Sequence, residues 1–194
     1  MLEKLIFAYY NIDMKKKLLL HSCCGPCSTT AITRLAEVYD VTVFYYNPNI
    51  YPMEEFIKRQ ETQKQFLQKY NPDIELIEGD WENDLYESTI KGFEGCKEGG
   101  ERCKYCFELR LEKTANLAKK RNYDLFATTL TVSPHKNAKL INEIGKEIEE
   151  RVGVEYLPSD FKKQDGYLQS IKLSKEYNLY RQNYCGCKYS IWWE

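Results

Sequence analysis

Between Lys17 and Tyr46 the chain reads as an apolar run, a helical stretch and a second apolar run: KLLLHS, then Ser28 to Tyr39, then VTVFYY from Val41 to Tyr46. Short apolar runs joined by a helix bury both strand faces as neighbours in a parallel sheet, so this segment predicts a βαβ unit. The alternation continues. Asn47-Pro48-Asn49 ends the second run, and Met53, Phe56, Ile57, Phe66, Leu67 and Tyr70 recur at helical spacing up to Asn71-Pro72. Asp73 to Glu78 predicts a third strand, residues 80–92 a weak helix, and Gly92 to Arg102, with four glycines, an irregular loop. Phe107, Leu111, Ala115 and Ala118 stripe a helix from Cys103 to Arg121, and Asp124 to Thr129 supplies a fourth strand. Thr131 to His135 follows as a polar loop, Lys139 to Arg151 as a helix and Val154 to Leu157 as a fifth strand.

This pattern predicts an α/β fold, a doubly wound, mostly parallel sheet of Rossmann-like, nucleotide-hydrolase-like character. Residues 1–194 are expected to form one domain, with the helical, aromatic segment 165–194 packing over the active site. That segment carries Tyr167, Tyr177, Tyr180, Tyr184 and Tyr189 beside Trp192 and Trp193, and burial is expected for Trp192. No run of 18 apolar residues occurs, and the first residues place their apolar patch before the lysines, the reverse of a signal peptide. The expectation is a cytoplasmic protein with no membrane partner. A net charge of −1 from 28 basic and 29 acidic residues gives no global footprint for a polyanion, although local basic patches remain.

Cysteine is the residue that carries the chemistry. Eight thiols in a reducing compartment read as metal ligands or redox groups rather than structural disulfides. Ligands of open parallel sheets bind beyond the carboxyl ends of the strands, which gathers residues 23–27, 47–51, the Gly79-Asp80 turn and 131–135 on one edge. Cys24-Gly25-Pro26-Cys27 matches the thioredoxin tetrapeptide, so a thiol–disulfide oxidoreductase using Cys24 and Cys27 is the alternative reading. That fold needs a βαβ segment ahead of its dithiol, and here a single strand precedes it. A nucleotide-binding loop is a third reading, but residues 22–28 carry neither a P-loop nor the serine- and glycine-rich loop of the PP-loop enzymes.

Cys103 and Cys106 open a helix, where free backbone N–H groups favour thiolates. One pair from there and one from residues 23–27 would give four sulfur ligands for zinc or an iron–sulfur cluster. Adjacent Cys23-Cys24 departs from the matched C-x2-C units of zinc knuckles, which favours the cluster. Cys27 and Cys96 read equally as idle thiols or as chemical groups. Cys185-Gly186-Cys187 reads as a redox relay through a strained ring, as further metal ligands, or as surface thiols. His135, Asp80, Tyr46 and Tyr51 are candidate proton donors, and Asn49 and His135 candidate substrate contacts.

Five blocks carry a resemblance: HSCCGPCS (His21 to Ser28), YNPNIYP (Tyr46 to Pro52), CKYCFELRLEKTA (Cys103 to Ala115), TTLTVSPHKN (Thr128 to Asn137) and DFKKQDGYLQSIKLSKEYNLYRQNYCGCKYS (Asp160 to Ser190). In these blocks, in order along nearly the whole chain, it resembles the QueH-type epoxyqueuosine reductases. The resemblance implies reduction of epoxyqueuosine to queuosine at the wobble position of tRNA anticodons, the last step of that modification, with an electron donor left unspecified. It implies a 4Fe-4S cluster on Cys23, Cys24, Cys103 and Cys106, a redox-active pair at Cys185 and Cys187, and room for a second iron. A tRNA partner would engage the tyrosine-rich tail with Lys172, Lys175 and Arg181 by stacking and local charge.

Overall fold

In the computed structural model residues 15–193 are described, with side chains to Ser190; the leader reading of residues 1–14 and the burial expected for Trp192 lie outside the described residues. Five strands form one parallel sheet: β1 Lys17–Ser22, β2 Asp40–Tyr45, β3 Leu76–Glu78, β4 Leu125–Thr128 and β5 Glu155–Tyr156, in the order β3-β2-β1-β4-β5. The helices are α1 Gly25–Leu35, α2 Met53–Tyr70, α3 Asn83–Thr89, α4 Glu101–Lys120, α5 Ala138–Val152 and α6 Gly166–Glu176.

Side-chain alternation along the strands divides the core into two layers. Leu18, Leu20, Val41, Val43, Leu125 and Ala127 face Ile32 of α1 and Phe66 of α2. Leu19, Phe44 and Phe126 face the other way, against Phe107 and Leu111 of α4 and Ile141 and Ile148 of α5. This is the period-2 rule on a sheet covered on both faces. Leu18, Leu19 and Leu20 are fully buried, each contributing roughly 1.5–3 kcal/mol of apolar burial.

Boundaries differ from the sequence reading where side chains cap the backbone. The third strand starts at Leu76 rather than Asp73, because Asn71 Oδ1 accepts from the Asp73 N–H (3.1 Å) and holds a turn. Thr129–Val132, which spans the end of the expected fourth strand and the start of the expected polar loop, forms a buried 3-10 turn in which Thr128 Oγ1 accepts from the Leu130 N–H (3.1 Å). Asn137 then caps α5, its Oδ1 accepting from the N–H groups of Lys139 (3.1 Å) and Leu140 (3.2 Å). The loop left free is therefore short. Among the described residues no helix is long and apolar enough to cross a membrane.

The strand order reverses between β1 and β4, which lie side by side and whose continuations run to opposite edges of the sheet. That switch point opens a crevice at the carboxyl ends of β1 and β4.

Candidate metal centre and substrate cleft

Cys23 and Cys24 follow β1 directly into this crevice. The Cys23 N–H donates to Thr129 Oγ1 (3.1 Å), and the Thr129 hydroxyl donates to Cys23 Sγ (3.4 Å), tying the loop to the end of β4. Helix α1 begins at Gly25 rather than Ser28, which brings Cys27 into its first turn. A Cβ at Gly25 would stand 2.9 Å from the Thr62 carbonyl oxygen, so the close approach of α1 to α2 requires glycine.

The sulfurs of Cys23, Cys24 and Cys27 all lie within 4.8 Å of one another, Cys23 and Cys24 at 3.9 Å. Thiolates on one tetrahedral ion with bonds of about 2.3 Å stand about 3.8 Å apart, so this triad is spaced for a single metal ion with a fourth position open. The electrostatics agree. Hydrogen bonds from Cys24 and Cys27 hold the Cys23 thiol well below its ordinary value, Lys136 adding to the effect. The shared bond to Cys23 pushes Cys24 up to about 11 and raises Cys27 well above the ordinary thiol value. Cys24 is fully buried with its thiol pushed up, the reverse of the exposed, low-pKa nucleophile a thioredoxin-type dithiol needs.

The second group assembles over distance. Glu101 starts α4, which sets Cys103 and Cys106 one turn apart on the same face. The chain after α6 returns Cys185 and Cys187 to them. The buried Arg59 guanidinium, paired with Glu55 (2.6 Å), donates to the carbonyls of Cys185 (3.1 Å) and Tyr184 (3.4 Å). The Tyr51 N–H donates to the Gly186 carbonyl (2.9 Å). Gly186 has φ 106°, and a Cβ there would meet Arg59 Nη1 and Ile50 Cγ1 at 2.9 Å, so the C-x-C turn needs its glycine twice over.

Cys103, Cys106, Cys185 and Cys187 together line a cavity of about 20 Å³. Burial pushes Cys106 up to about 12 and raises Cys103 and Cys187 as well. Two donors offset part of that cost: the Gly99 N–H to Cys103 Sγ (3.2 Å), and Tyr86 Oη on Cys187 Sγ (3.0 Å). All eight cysteines are free thiols. Cys23 and Cys24 gather with Cys27, and Cys103 and Cys106 share a cavity with Cys185 and Cys187. Cys96 lies in neither group; its carbonyl anchors Arg102.

A cleft of about 420 Å³ runs between the groups, bordered by Cys23 and Cys27 on one side and Cys185 on the other. Arg110 and Lys136, which the sequence reading missed, line both the cleft and the small cavity. Burial opposes their charge, but the sulfurs of both groups that face them favour it: Cys106, Cys185 and Cys23 at Arg110, Cys185, Cys23 and Cys27 at Lys136. The available signal was an arginine one helical turn after Cys106, interrupting the apolar stripe of α4.

Asn49 and His135 both line the cleft. Of the other proton-donor candidates, the Tyr46 hydroxyl is committed to Glu82 (2.6 Å), and neither Tyr46, Tyr51 nor Asp80 borders the cleft. His21 is internal, its Nδ1 on Thr128 Oγ1 (2.8 Å) and Nε2 on the Tyr46 carbonyl (3.0 Å); burial lowers it to about 3, so it packs as a neutral ring. In the tail, Arg181 reaches the cleft while Lys172 and Lys175 are exposed on α6.

A family model described as epoxyqueuosine reductase QueH matches residues 18–192. The chain belongs to the QueH epoxyqueuosine reductase family. Curated members include a Streptococcus pyogenes protein, 40% identical over 92% of this chain and 71% of its own length, and one from Thermotoga maritima, 38% identical over 90% of each. A Staphylococcus epidermidis member is 41% identical over 97% of this chain and 82% of its own. Two solved structures share the fold. A predicted tRNA methyltransferase subunit from Methanocaldococcus jannaschii superposes with a TM-score of 0.56 at 16% identity, over 83% of this chain and 75% of that one. The U34-tRNA thiolase NcsA from Methanococcus maripaludis, solved with its 4Fe-4S cluster, gives 0.53 at 15% identity, over 91% of this chain and 62% of that one.

Proposed function

We propose that this chain reduces epoxyqueuosine to queuosine in the tRNA anticodon, with Cys103, Cys106, Cys185 and Cys187 holding an iron–sulfur cluster and Cys23, Cys24 and Cys27 a second, single metal ion. Family membership supports the reaction, and the arrangement that carries the reading is one cleft bordered by both thiol groups. The donor sets offer thiol ligands for such groups, hydrogen-bonded by Tyr86, Gly99, Thr129 and Gln182, with Arg110 and Lys136 offsetting their charge. Metals bound there supply one-electron transfer and a Lewis acid for the epoxide oxygen. The eight free thiols suit a reducing, cytoplasmic setting.

The overall step takes two electrons and two protons. Both carbon–oxygen bonds of the epoxide break, a carbon–carbon double bond forms, and the oxygen leaves as water; the electrons come from an external donor. The chain's share is to bind the anticodon base, exclude bulk water and stabilise charge on the departing oxygen. Lys136 supplies the fixed positive charge for that oxygen. His135, exposed at the cleft rim, is placed to pass protons from solvent.

The test is anaerobic incubation of the metal-loaded protein with an epoxyqueuosine-bearing anticodon stem–loop and a chemical reductant. A nucleoside lighter by one oxygen atom is expected. An unchanged nucleoside, with disulfide reduction by metal-free protein, would replace this reading by the dithiol one.

A further inference from the structure

Buried polar atoms find partners within a fold, and those that do not point to a group supplied from outside. Three such atoms belong to residues lining this cleft: Asn49 Oδ1, Gln182 Oε1 and a terminal nitrogen of Arg110, Nη2. Arg110 and Gln182 are each held by their other polar atoms. Asn49, 1% exposed, sits in a loop clamped by Asn83 Nδ2 donating to the Pro48 carbonyl (2.7 Å). Arg110, 2% exposed, is held by its Nε on the Cys106 carbonyl (3.1 Å) and by Nη1 on Asn47 Oδ1 (3.4 Å). Gln182 donates Nε2 to Cys24 Sγ (2.9 Å), which fixes the amide with its oxygen unpaired.

We propose that Asn49, Gln182 and Arg110 read the base that carries the reacting group, by the edge that guanine presents in base pairing. Two acceptors and one donor complement that edge, whose O6 accepts and whose N1–H and exocyclic amine donate. Adenine presents an acceptor ring nitrogen where guanine presents N1–H, and so sets acceptor against acceptor. The cleft supplies π-faces as well: Arg181 lies over the Tyr167 ring at 5.9 Å and Arg59 over the Tyr184 ring at 4.9 Å, and both tyrosines are cleft-lining. The inference rests on the proposed tRNA reading and extends it. Queuosine and its epoxide are guanosine derivatives altered on the five-membered ring, so the pairing edge stays available while the epoxide faces the thiol groups.

The experiment uses metal-loaded protein and three anticodon stem–loops that differ only at the wobble base: guanosine, inosine, which lacks the exocyclic amine, and adenosine. Anaerobic fluorescence anisotropy is expected to rank them in that order, with inosine roughly ten-fold weaker than guanosine and adenosine weaker again. In Asn49→Leu guanosine affinity falls with the metal absorption spectrum unchanged; Gln182→Leu also removes a donor to Cys24, so its affinity is read on protein loaded to the same metal content, and in one of the two the guanosine–inosine gap closes. Asn49→Asp keeps an acceptor oxygen and keeps the gap. Equal binding of the three loops by the unmodified protein, or binding of none, overturns the edge reading. Epoxide reduction in the preceding assay judges the tRNA reading separately, so the two failures are distinct.

Discussion

The Cys23, Cys24 and Cys27 triad is made by one strand end and the first turn of the helix that follows, whereas the four-thiol cavity joins the start of α4 to a segment that arrives only after α6. The first is geometry built into a β–α junction, preformed wherever the sheet is formed. The second exists only when Arg59, Ile50 and Tyr51 hold the C-terminal turn in place. The two groups should therefore respond differently to perturbation, and that difference can be measured.

The largest effect separates the groupings themselves. Serine at Cys103, Cys106, Cys185 or Cys187 is expected to abolish the visible absorption of an anaerobically reconstituted cluster in every case. A variant at Cys185 or Cys187 that keeps full colour would restore the set implied by the family resemblance, with Cys23 and Cys24 as cluster ligands and Cys185–Cys187 as a separate relay. Serine at Cys23, Cys24 or Cys27 should leave the colour and remove one equivalent of metal. A chelator should do the same to the unmodified protein, because the open fourth position of the triad admits it.

Next in size is Arg59→Met. Removing the guanidinium strips the Cys185 and Tyr184 carbonyls of their donor and leaves Glu55 with its Tyr180 contacts but no cation. Breaking a buried pair on one side costs about 3–5 kcal/mol; Glu55 is 11% exposed, so the lower end is expected. Cluster colour should fade while the triad keeps its metal. Equal loss from both groups would show that they form one unit.

These contrasts also explain what was legible beforehand. The strands, the helices and the crevice follow from local patterning: Leu18 to Leu20 alternate between two faces, and Phe107 and Leu111 repeat at helical spacing. The importance of the cysteines was equally plain. Their partnership was not, because spacing along the chain says nothing about which thiols a tertiary turn at Gly186 brings to Cys103 and Cys106. Cys27 was ambiguous for a smaller reason, a helix start misplaced from Gly25 to Ser28, which decides whether its sulfur turns back toward Cys23. Arg59, Arg110 and Lys136 were overlooked because charged residues on helices and loops usually face water, and only their packing against buried thiols shows otherwise.

Gly186→Ala should cost less than the Arg59 change. The residue would have to hold φ 106° and push Arg59 Nη1 and Ile50 aside from 2.9 Å. A left-handed backbone and a tight contact together cost roughly 1–3 kcal/mol. A lowered melting temperature of the apoprotein, together with weaker iron binding at the four-thiol site alone, is the expected pair of readings; an unchanged apoprotein melting temperature would mean that the turn accommodates a side chain.

The smallest change is also the most local. Tyr86 is buried on α3 and sets its hydroxyl 3.0 Å from Cys187 Sγ, beside Ile90 and Cys106. Tyr86→Phe removes one oxygen and leaves the ring's packing intact, so the apoprotein should lose only about 0.5–1.5 kcal/mol. At the metal the consequence is larger in proportion. A hydroxyl that donates to a thiolate stabilises the charged sulfur and steadies its direction, and loss of such an outer partner typically costs 10–100-fold in metal affinity or activity. The expected result is a protein that folds and colours normally, releases iron faster to a chelator, and shows a shifted reduction potential, while the triad of Cys23, Cys24 and Cys27 holds its ion as before. If iron loss quickened equally at the triad, the hydroxyl would be acting through the cleft as a whole, and the independence of the two thiol groups would have to be given up.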